Sequence, residues 1–200
     1  NPMYSPSVNI QKYYKEYRRG KTAVEEAQKQ LAEAKNELEF LKSELAFIRN
    51  VSDKKDIDAI TEELKKEGYI KEIKSQRKKK QQGGGFIKTL TSEGFEVLSG
   101  RNNIQNDELT LKTAAPNDLW FHIKDYPGTH TVLCLNGREA TDKAIFEAAK
   151  VAASLSKEHS GKISIDYTKV RYVKKPRGAK PGMVIYTDYK TILIDTDKGE

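Results

Sequence analysis

Apolar and small residues recur every three or four positions over residues 8–50, and this heptad repeat strongly constrains what the chain can fold into. The seam consists of Ile10, Tyr13, Tyr17, Gly20, Val24, Ala27, Leu31, Ala34, Leu38, Leu41, Leu45 and Ile48. The positions between them are mostly Glu, Lys, Gln and Arg, as on the solvated face of a coiled coil. At about 1.5 Å per residue, the repeat predicts a helix roughly 60 Å long.

A second, shorter helix is predicted to follow, with Ser52 or Asp53 as its N-cap. Its apolar stripe consists of Ile57, Ile60 and Leu64. We expect an antiparallel coiled-coil hairpin over residues 1–82. A parallel dimeric coiled coil is the alternative, because the return helix looks too short to cover all of the first.

The overall charge favours an anionic partner such as nucleic acid, because the formal net charge is +7 and the isoelectric point is near 9.2. The single cysteine, Cys134, excludes an internal disulfide. No signal peptide or bilayer-length apolar run is evident, which predicts no membrane insertion. The chain begins with Asn1 rather than Met, and we expect it to be part of a longer protein.

The stretch KEIKSQRKKKQQ, residues 71–82, holds six basic residues and one acidic residue, and Gly83-Gly84-Gly85 follows it. Such a run is typical of a solvated linker, although it could also tether RNA phosphates. The three glycines predict a flexible linker at 83–85. We place the boundary between two domains there.

Residues 86–200 alternate apolar and polar residues in several short stretches, which is typical of strands. The predicted strands lie in FIKTLTSEG, FEVLSG, LWFHIK, HTVLCLN, KISIDYTKVRYVKKP, MVIYT and KTILID. NNIQNDELTLKTAA predicts a short helix, and the alanine-rich TDKAIFEAAKVAASLSKEH predicts a longer one. The fold class expected here is α+β, with one main helix on a mostly antiparallel sheet.

DLWFHIKDYPGTH, residues 118–130, resembles a catalytic or metal centre at first sight, because it holds Asp118, His122 and His130. Two histidines without a third ligand at suitable spacing are a weak metal signal. Cys134 lies in an apolar strand, where a cysteine is usually inert packing. We therefore expect no metal, no cofactor and no enzymatic role.

Strand alternation favours a binding role for the same stretch. Leu119, Phe121 and Ile123 should face a core, which sends Trp120, His122 and Lys124 to the opposite face. An exposed row of that kind offers stacking planes and a cation to RNA. The alternative is that Trp120 is a half-buried anchor whose indole N–H is hydrogen-bonded.

Two further stretches provide candidate phosphate ligands. Six basic residues and no acidic residue lie between Lys169 and Thr187, and cations of this kind bind phosphates with little sequence preference. The four that we place in the RNA site are Lys174, Lys175, Arg177 and Lys180. In GRNNIQND, residues 100–107, the amides are expected to cap a helix and to leave Arg101 free to bind RNA.

Five stretches together resemble the NFACT family of ribosome-quality-control factors, which are also described in Gram-positive bacteria as FbpA-type fibronectin-binding proteins. SPSVNIQKYYKEYRRGKTAV (5–24) and SDKKDIDAITEELKKEGYI (52–70) resemble the coiled-coil region. GRNNIQNDELT (100–110), DLWFHIKDYPGTHTVL (118–133) and VKKPRGAKPGMV (173–184) resemble the RNA-binding domain of the family, NFACT-R. The resemblance covers most of the chain.

This resemblance implies a module that binds tRNA and large ribosomal subunits carrying a stalled nascent chain, with residues 86–200 as the NFACT-R domain. The peptidyl transfer that extends such chains belongs to the ribosome, so no enzyme is implied. A cytoplasmic location follows, together with a second one at the cell surface without a signal peptide. The alternative that the resemblance carries is an adhesin for fibronectin or fibrinogen. A third hypothesis is a scaffold acting mainly through its coiled coil.

Overall fold

The computed structural model of the chain describes residues 1–51, 53–71, 85–156 and 161–196. The chain divides into two compact units, Asn1–Glu39 and Phe40–Glu200. Apart from Lys71 and Gly85, the predicted basic run and glycine linker lie outside the described residues. The domain boundary placed there stays a prediction.

Helix α1 spans Pro6–Asn50, which confirms the long helix predicted from the heptad repeat. Within the first unit, seam positions such as Tyr13, Val24 and Leu31 are exposed. The choice between a hairpin and a parallel dimer along this part stays open. No helix of the described residues is both long and apolar enough to cross a membrane.

Helix α2 spans Lys54–Lys66, and the contacts that this helix and the segment after it make with Glu44 and Phe40 show that it runs antiparallel to the last turns of α1. Its N-cap is Asp53, whose carboxylate accepts a hydrogen bond from the Lys55 amide at 3.2 Å. The Tyr69 ring stacks on the Phe40 ring of α1 with 5.9 Å between centroids. Closer to the turn between the two helices, Glu63 of α2 packs beside Glu44 of α1. The part of the hairpin from Phe40 to Tyr69, called its root below, belongs to the second unit together with the sheet.

A six-stranded sheet forms the centre of the second unit. Its strands are β1 (Ile87–Leu90), β2 (Glu96–Ser99), β3 (Leu119–Ile123), β4 (Thr131–Cys134), β5 (Lys162–Lys169) and β8 (Lys190–Asp195). Their order is β1-β2-β4-β3-β5-β8, and every neighbouring pair is antiparallel. The predicted α+β class with a mostly antiparallel sheet is confirmed.

Helix α4 (Asp142–Ser154) covers one face of the sheet, as predicted. Its buried face is almost entirely alanine, with Ala148, Ala149 and Ala152 among the buried residues, so its backbone can lie close to the strands. Phe121 and Ile123 of β3 pack in this core. The inward direction predicted for these side chains is confirmed.

The opposite face of the sheet is covered by a second layer that the sequence did not predict. It consists of α3 (Asn103–Glu108), a π-helical turn (Leu109–Thr113), and the hairpin of β6 (Val173–Lys174) and β7 (Ile185–Tyr186). Leu109 and Val173 of this layer pack with Trp120 in a second apolar cluster. The inner strands of the sheet, β2, β4, β3 and β5, are therefore mostly buried on both faces.

The N-terminal end of α3 packs against the root of the helical hairpin. Asn102 caps α3 by accepting a hydrogen bond from the Gln105 amide at 2.8 Å, as expected. The buried Asn103 donates to Ser43 Oγ and to Glu44 Oε1, both at 2.8 Å. These bonds join α1 to the layer that covers the second face.

Candidate nucleic-acid interface

Trp120 is fully buried, with 0% of its surface accessible, so the prediction of an exposed Trp120 is wrong. Strand alternation does direct the Trp120 side chain to the sheet face opposite α4. That face, however, is covered by α3, the π turn and the β6–β7 hairpin. The Tyr186 ring lies 4.9 Å away and the His130 ring 5.1 Å away, measured between centroids. Among the described residues the indole N–H of Trp120 has no hydrogen-bond partner. The alternative, an anchor whose indole N–H is hydrogen-bonded, is therefore not found either.

His122 and His130 lie side by side, with ring centroids 5.5 Å apart. The His122 ring stacks on Trp120 with 6° between the planes, and His130 Nδ1 is hydrogen-bonded to Thr110 Oγ1 at 2.8 Å. Burial lowers the pKa of His122 to about 4 and the pKa of His130 well below its usual range. Both rings are therefore neutral near pH 7, and neither supplies a positive charge to phosphate.

Asp118 has a structural role in the turn before β3. Its carboxylate accepts hydrogen bonds from the amides of Ala115 and Leu135, each at 2.8 Å. The carboxylate is buried and points at backbone rather than at a histidine. Within the described ranges, no three His, Cys, Asp or Glu side chains are grouped so that they could hold a metal ion.

Arg101 is bound to the helical hairpin, so the prediction that it is free is wrong. Its Nη1 lies 3.1 Å from the Asp56 carboxylate of α2, and its Nε donates to the Gly85 carbonyl at 3.0 Å. Asp56 is buried, which makes this an internal ion pair rather than a solvated one. The pair ties the segment before α3 to α2.

Lys180 is also used internally. Its Nζ donates to Tyr69 Oη at 2.6 Å and lies 4.7 Å from the centroid of the Phe40 ring. Glu67 lies 3.8 Å away. A cation close to aromatic rings is attracted by their π electrons, so Lys180 joins its loop to the root of the hairpin.

Asp107 of α3 fixes both ends of the loop between β6 and β7. One carboxylate oxygen forms an ion pair with Lys175, and the other accepts a hydrogen bond from the Gly182 amide at 3.1 Å. Gly182 has a φ of +74°, and a Cβ there would lie 2.1 Å from Asn103 Oδ1. The loop is therefore held by α3 and requires glycine at this position.

Lys174 and Arg177 are the two predicted loop cations that remain exposed. Within the part of the chain that the structure describes, neither side chain makes a hydrogen bond or an ion pair. Lys174 lies opposite Ile185 in the β6–β7 pair. The structure thus divides the predicted phosphate ligands into cations that fix the loop and cations that face solvent.

Lys124 lies one residue beyond β3 and is partly buried. Its Nζ is 5.9 Å from the centroid of the Tyr189 ring, and Tyr189 in turn lies 5.2 Å from Tyr186. Sequence reasoning did not identify Tyr189 or the anchoring role of Asp107. The only local signal was the pair of tyrosines in IYTDYK, residues 185–190.

Comparisons with known proteins agree with this architecture. Residues 1–83 match the family model of the NFACT N-terminal and middle domains, and residues 85–188 match that of the NFACT protein RNA binding domain. The Rqc2 homolog RqcH of Bacillus subtilis is 38% identical over 98% of this chain, and that of Streptococcus suis is 37% identical over 95%. The chain spans 35% and 34% of the lengths of these two relatives.

A solved structure has the same fold. It is the C-terminal part of the fibronectin/fibrinogen-binding protein from Streptococcus suis, with a TM-score of 0.86 and 35% sequence identity. The likeness covers 96% of this chain and 77% of that one. Two family models in succession and a structural match of this extent show that the chain belongs to the NFACT family.

Proposed function

We propose that this chain is the RNA-binding module of a ribosome-quality-control factor, which holds tRNA on stalled large ribosomal subunits in the cytoplasm. It acts by binding rather than by catalysis. The family model over residues 85–188 supports RNA as the ligand, and the RqcH relatives support the ribosomal setting. The net charge of +7 suits a polyanionic partner.

The arrangement of the β6–β7 loop carries this proposal. Lys175 and Lys180 are held by Asp107 and Tyr69, so the loop backbone is fixed before any ligand arrives. Lys174 and Arg177 face solvent on that fixed loop. A fixed loop with exposed cations binds phosphate without first losing conformational entropy.

The proposed roles of the eight predicted site residues differ accordingly. Lys174 and Arg177 contact phosphates, and Lys124 contacts RNA beside Tyr189. Arg101, Lys175 and Lys180 hold this surface together through their internal partners. Trp120 and His122 support it from beneath as neutral, stacked rings.

The test measures RNA affinity against salt concentration by fluorescence anisotropy, with tRNA and with a duplex RNA. Each phosphate contact contributes about one unit to the slope of log affinity against log salt. The double variant Lys174→Gln/Arg177→Gln should weaken binding to both RNAs and lower the slope by about two units. The matched control, Lys143→Gln/Lys150→Gln, removes two exposed charges from α4 on the other face of the sheet.

An affinity that is independent of salt would contradict the proposal. Equal losses in the loop variant and in the α4 variant would also contradict it, because they would indicate attraction by net charge alone. Binding of large ribosomal subunits, measured by co-sedimentation with the same variants, tests the ribosomal part separately.

A second candidate function is binding of fibronectin or fibrinogen. What supports it is the likeness to the Streptococcus suis fragment, whose name states that activity. Surface plasmon resonance on immobilised fibronectin distinguishes the two candidates. Binding that disappears in moderate salt would indicate nonspecific attraction by a basic chain and count against an adhesin site.

A further inference from the structure

We propose that Tyr186, Tyr189 and Lys124 form an aromatic platform that stacks one unpaired base of single-stranded RNA. The platform rests on the proposed function, and it adds the kind of RNA that the module takes. It lies where the aromatic cluster of the second sheet face reaches the surface.

A continuous series of rings connects the buried cluster with solvent. Trp120 is inaccessible, Tyr186 packs against it and is partly buried, and Tyr189 keeps 47% of its surface accessible. The rings of Tyr186 and Tyr189 meet at 77°, so neither covers the other face to face. The outermost ring of the series therefore has accessible surface for another planar group.

The inner tyrosine is fixed by a buried carboxylate. Tyr186 Oη donates to Asp166 Oδ2 at 2.9 Å, and Thr191 Oγ1 donates to Asp166 Oδ1 at 2.6 Å. Burial and this acceptor raise the pKa of the Tyr186 hydroxyl. Tyr186 consequently stays neutral and keeps its ring position.

The backbone before Tyr189 is fixed as well. The Thr168 hydroxyl lies 3.0 Å from the carbonyl oxygens of both Thr187 and Asp188. The Thr187 amide donates to the Tyr172 carbonyl at 3.3 Å. Asp188 adopts a left-handed φ of 55°, and β8 begins at Lys190. Tyr189 thus lies between a hydrogen-bonded turn and strand β8, and this reduces the conformational entropy that Tyr189 would lose on binding RNA.

The charges around the platform favour a base over a phosphate. Lys124 lies over the Tyr189 ring, whereas Lys190 lies opposite Tyr167 in the sheet and so points toward the α4 side. Asp125 and Asp188, each in a turn with positive φ, flank the same surface. One cation and two anions leave no net attraction for phosphate, whereas every base offers a π face to an exposed aromatic ring.

The ligand must be single-stranded at this point, since bases inside a duplex are already stacked on their neighbours and present only their edges. Loss of one stacking ring is expected to weaken binding by about 5- to 150-fold. The exposed cations Lys174 and Arg177 would bind either form of RNA, because both forms carry phosphates. Comparison of the two forms therefore separates the platform from the basic loop.

The experiment compares the 200-residue chain with three variants, using a single-stranded oligonucleotide and a blunt duplex of the same sequence. Tyr189→Ala should lose about 5- to 150-fold in affinity for the single strand and keep its affinity for the duplex. Tyr189→Phe should keep both affinities, because it keeps the ring. Phe146→Ala is the matched control, since Phe146 is similarly exposed, at 43%, on α4.

Unchanged single-strand affinity in Tyr189→Ala, with duplex binding intact, would overturn the platform and leave the proposed function standing. Equal loss on both RNAs would also overturn it. Absence of RNA binding by the unaltered chain would overturn the proposed function, and the platform with it. As a second measurement, a photoreactive uridine in the single strand should crosslink at Tyr186 or Tyr189, and crosslinks confined to other residues would refute the proposal.

Discussion

Glu44 and Glu63 face each other at the root of the helical hairpin, and both carboxyl groups are buried. Among the described residues no Asn, Lys or Arg side chain donates to Glu63, whereas Asn103 donates to Glu44. Burial and the neighbouring Glu44 charge raise the pKa of Glu63 to about 8, and burial raises the pKa of Glu44 as well. At neutral pH the pair therefore holds a proton.

The retained proton makes stability depend on pH. The pKa of Glu63 is about 8 in the folded chain against an ordinary value of 4.5, so its stabilising contribution is complete below pH 4.5 and is lost as the pH rises through 8. The free energy of unfolding, measured in urea, should fall between about pH 5 and pH 8 and level off above pH 8. Glu63→Gln keeps a neutral side chain and should flatten this fall. Glu62→Gln, at an exposed position of the same helix, should keep the full decrease in unfolding free energy. A decrease of equal size in both variants would contradict the role of Glu63.

At the scale of elements, the β6–β7 loop depends on the close approach of Gly182 to Asn103. Gly182→Ala would place a Cβ 2.1 Å from Asn103 Oδ1 and displace a side chain that donates to Ser43 and Glu44. We expect a loss of roughly 1–3 kcal/mol for those bonds, beyond the cost of a left-handed alanine of about 1–2 kcal/mol.

Gly137→Ala is the control for this prediction. Gly137 also has a positive φ, of +81°, but a Cβ there meets no atom within 4 Å. The difference between the two variants in denaturant unfolding isolates the contact with Asn103. Equal losses would mean that the close approach contributes nothing.

The same element shows how far sequence reasoning reaches. Alternation and heptad spacing are local patterns, and they predicted α1, α4, the strands and the inward direction of Phe121. The coverage of the second face depends on contacts such as Lys175 with Asp107, whose positions are far apart in sequence. No local pattern encodes such a contact, so Trp120 was predicted to be exposed and Lys175 and Lys180 to be available for phosphate.

At the scale of the whole molecule, these internal contacts join the RNA-binding domain to the root of the helical hairpin within one unit. Arg101 binds Asp56, Asn103 binds Ser43 and Glu44, and Lys180 binds Tyr69. The predicted domain boundary at residues 83–85 would separate every one of these pairs. Residues 86–200 alone should then lose these bonds and expose their polar groups to water, and each lost bond contributes about 0.5–1.5 kcal/mol to stability.

The fragment of residues 86–200 should consequently melt about 5 °C or more below the full chain. A fragment of residues 40–200 retains all of the pairs and should melt near the temperature of the full chain. Thermal unfolding followed by circular dichroism at 222 nm would measure both, with the signal of tertiary packing followed in the near-ultraviolet. If the fragment of residues 86–200 instead melts together with the longer fragment, the contacts at the root contribute no stability, and the boundary at the glycine linker is the correct division of the chain.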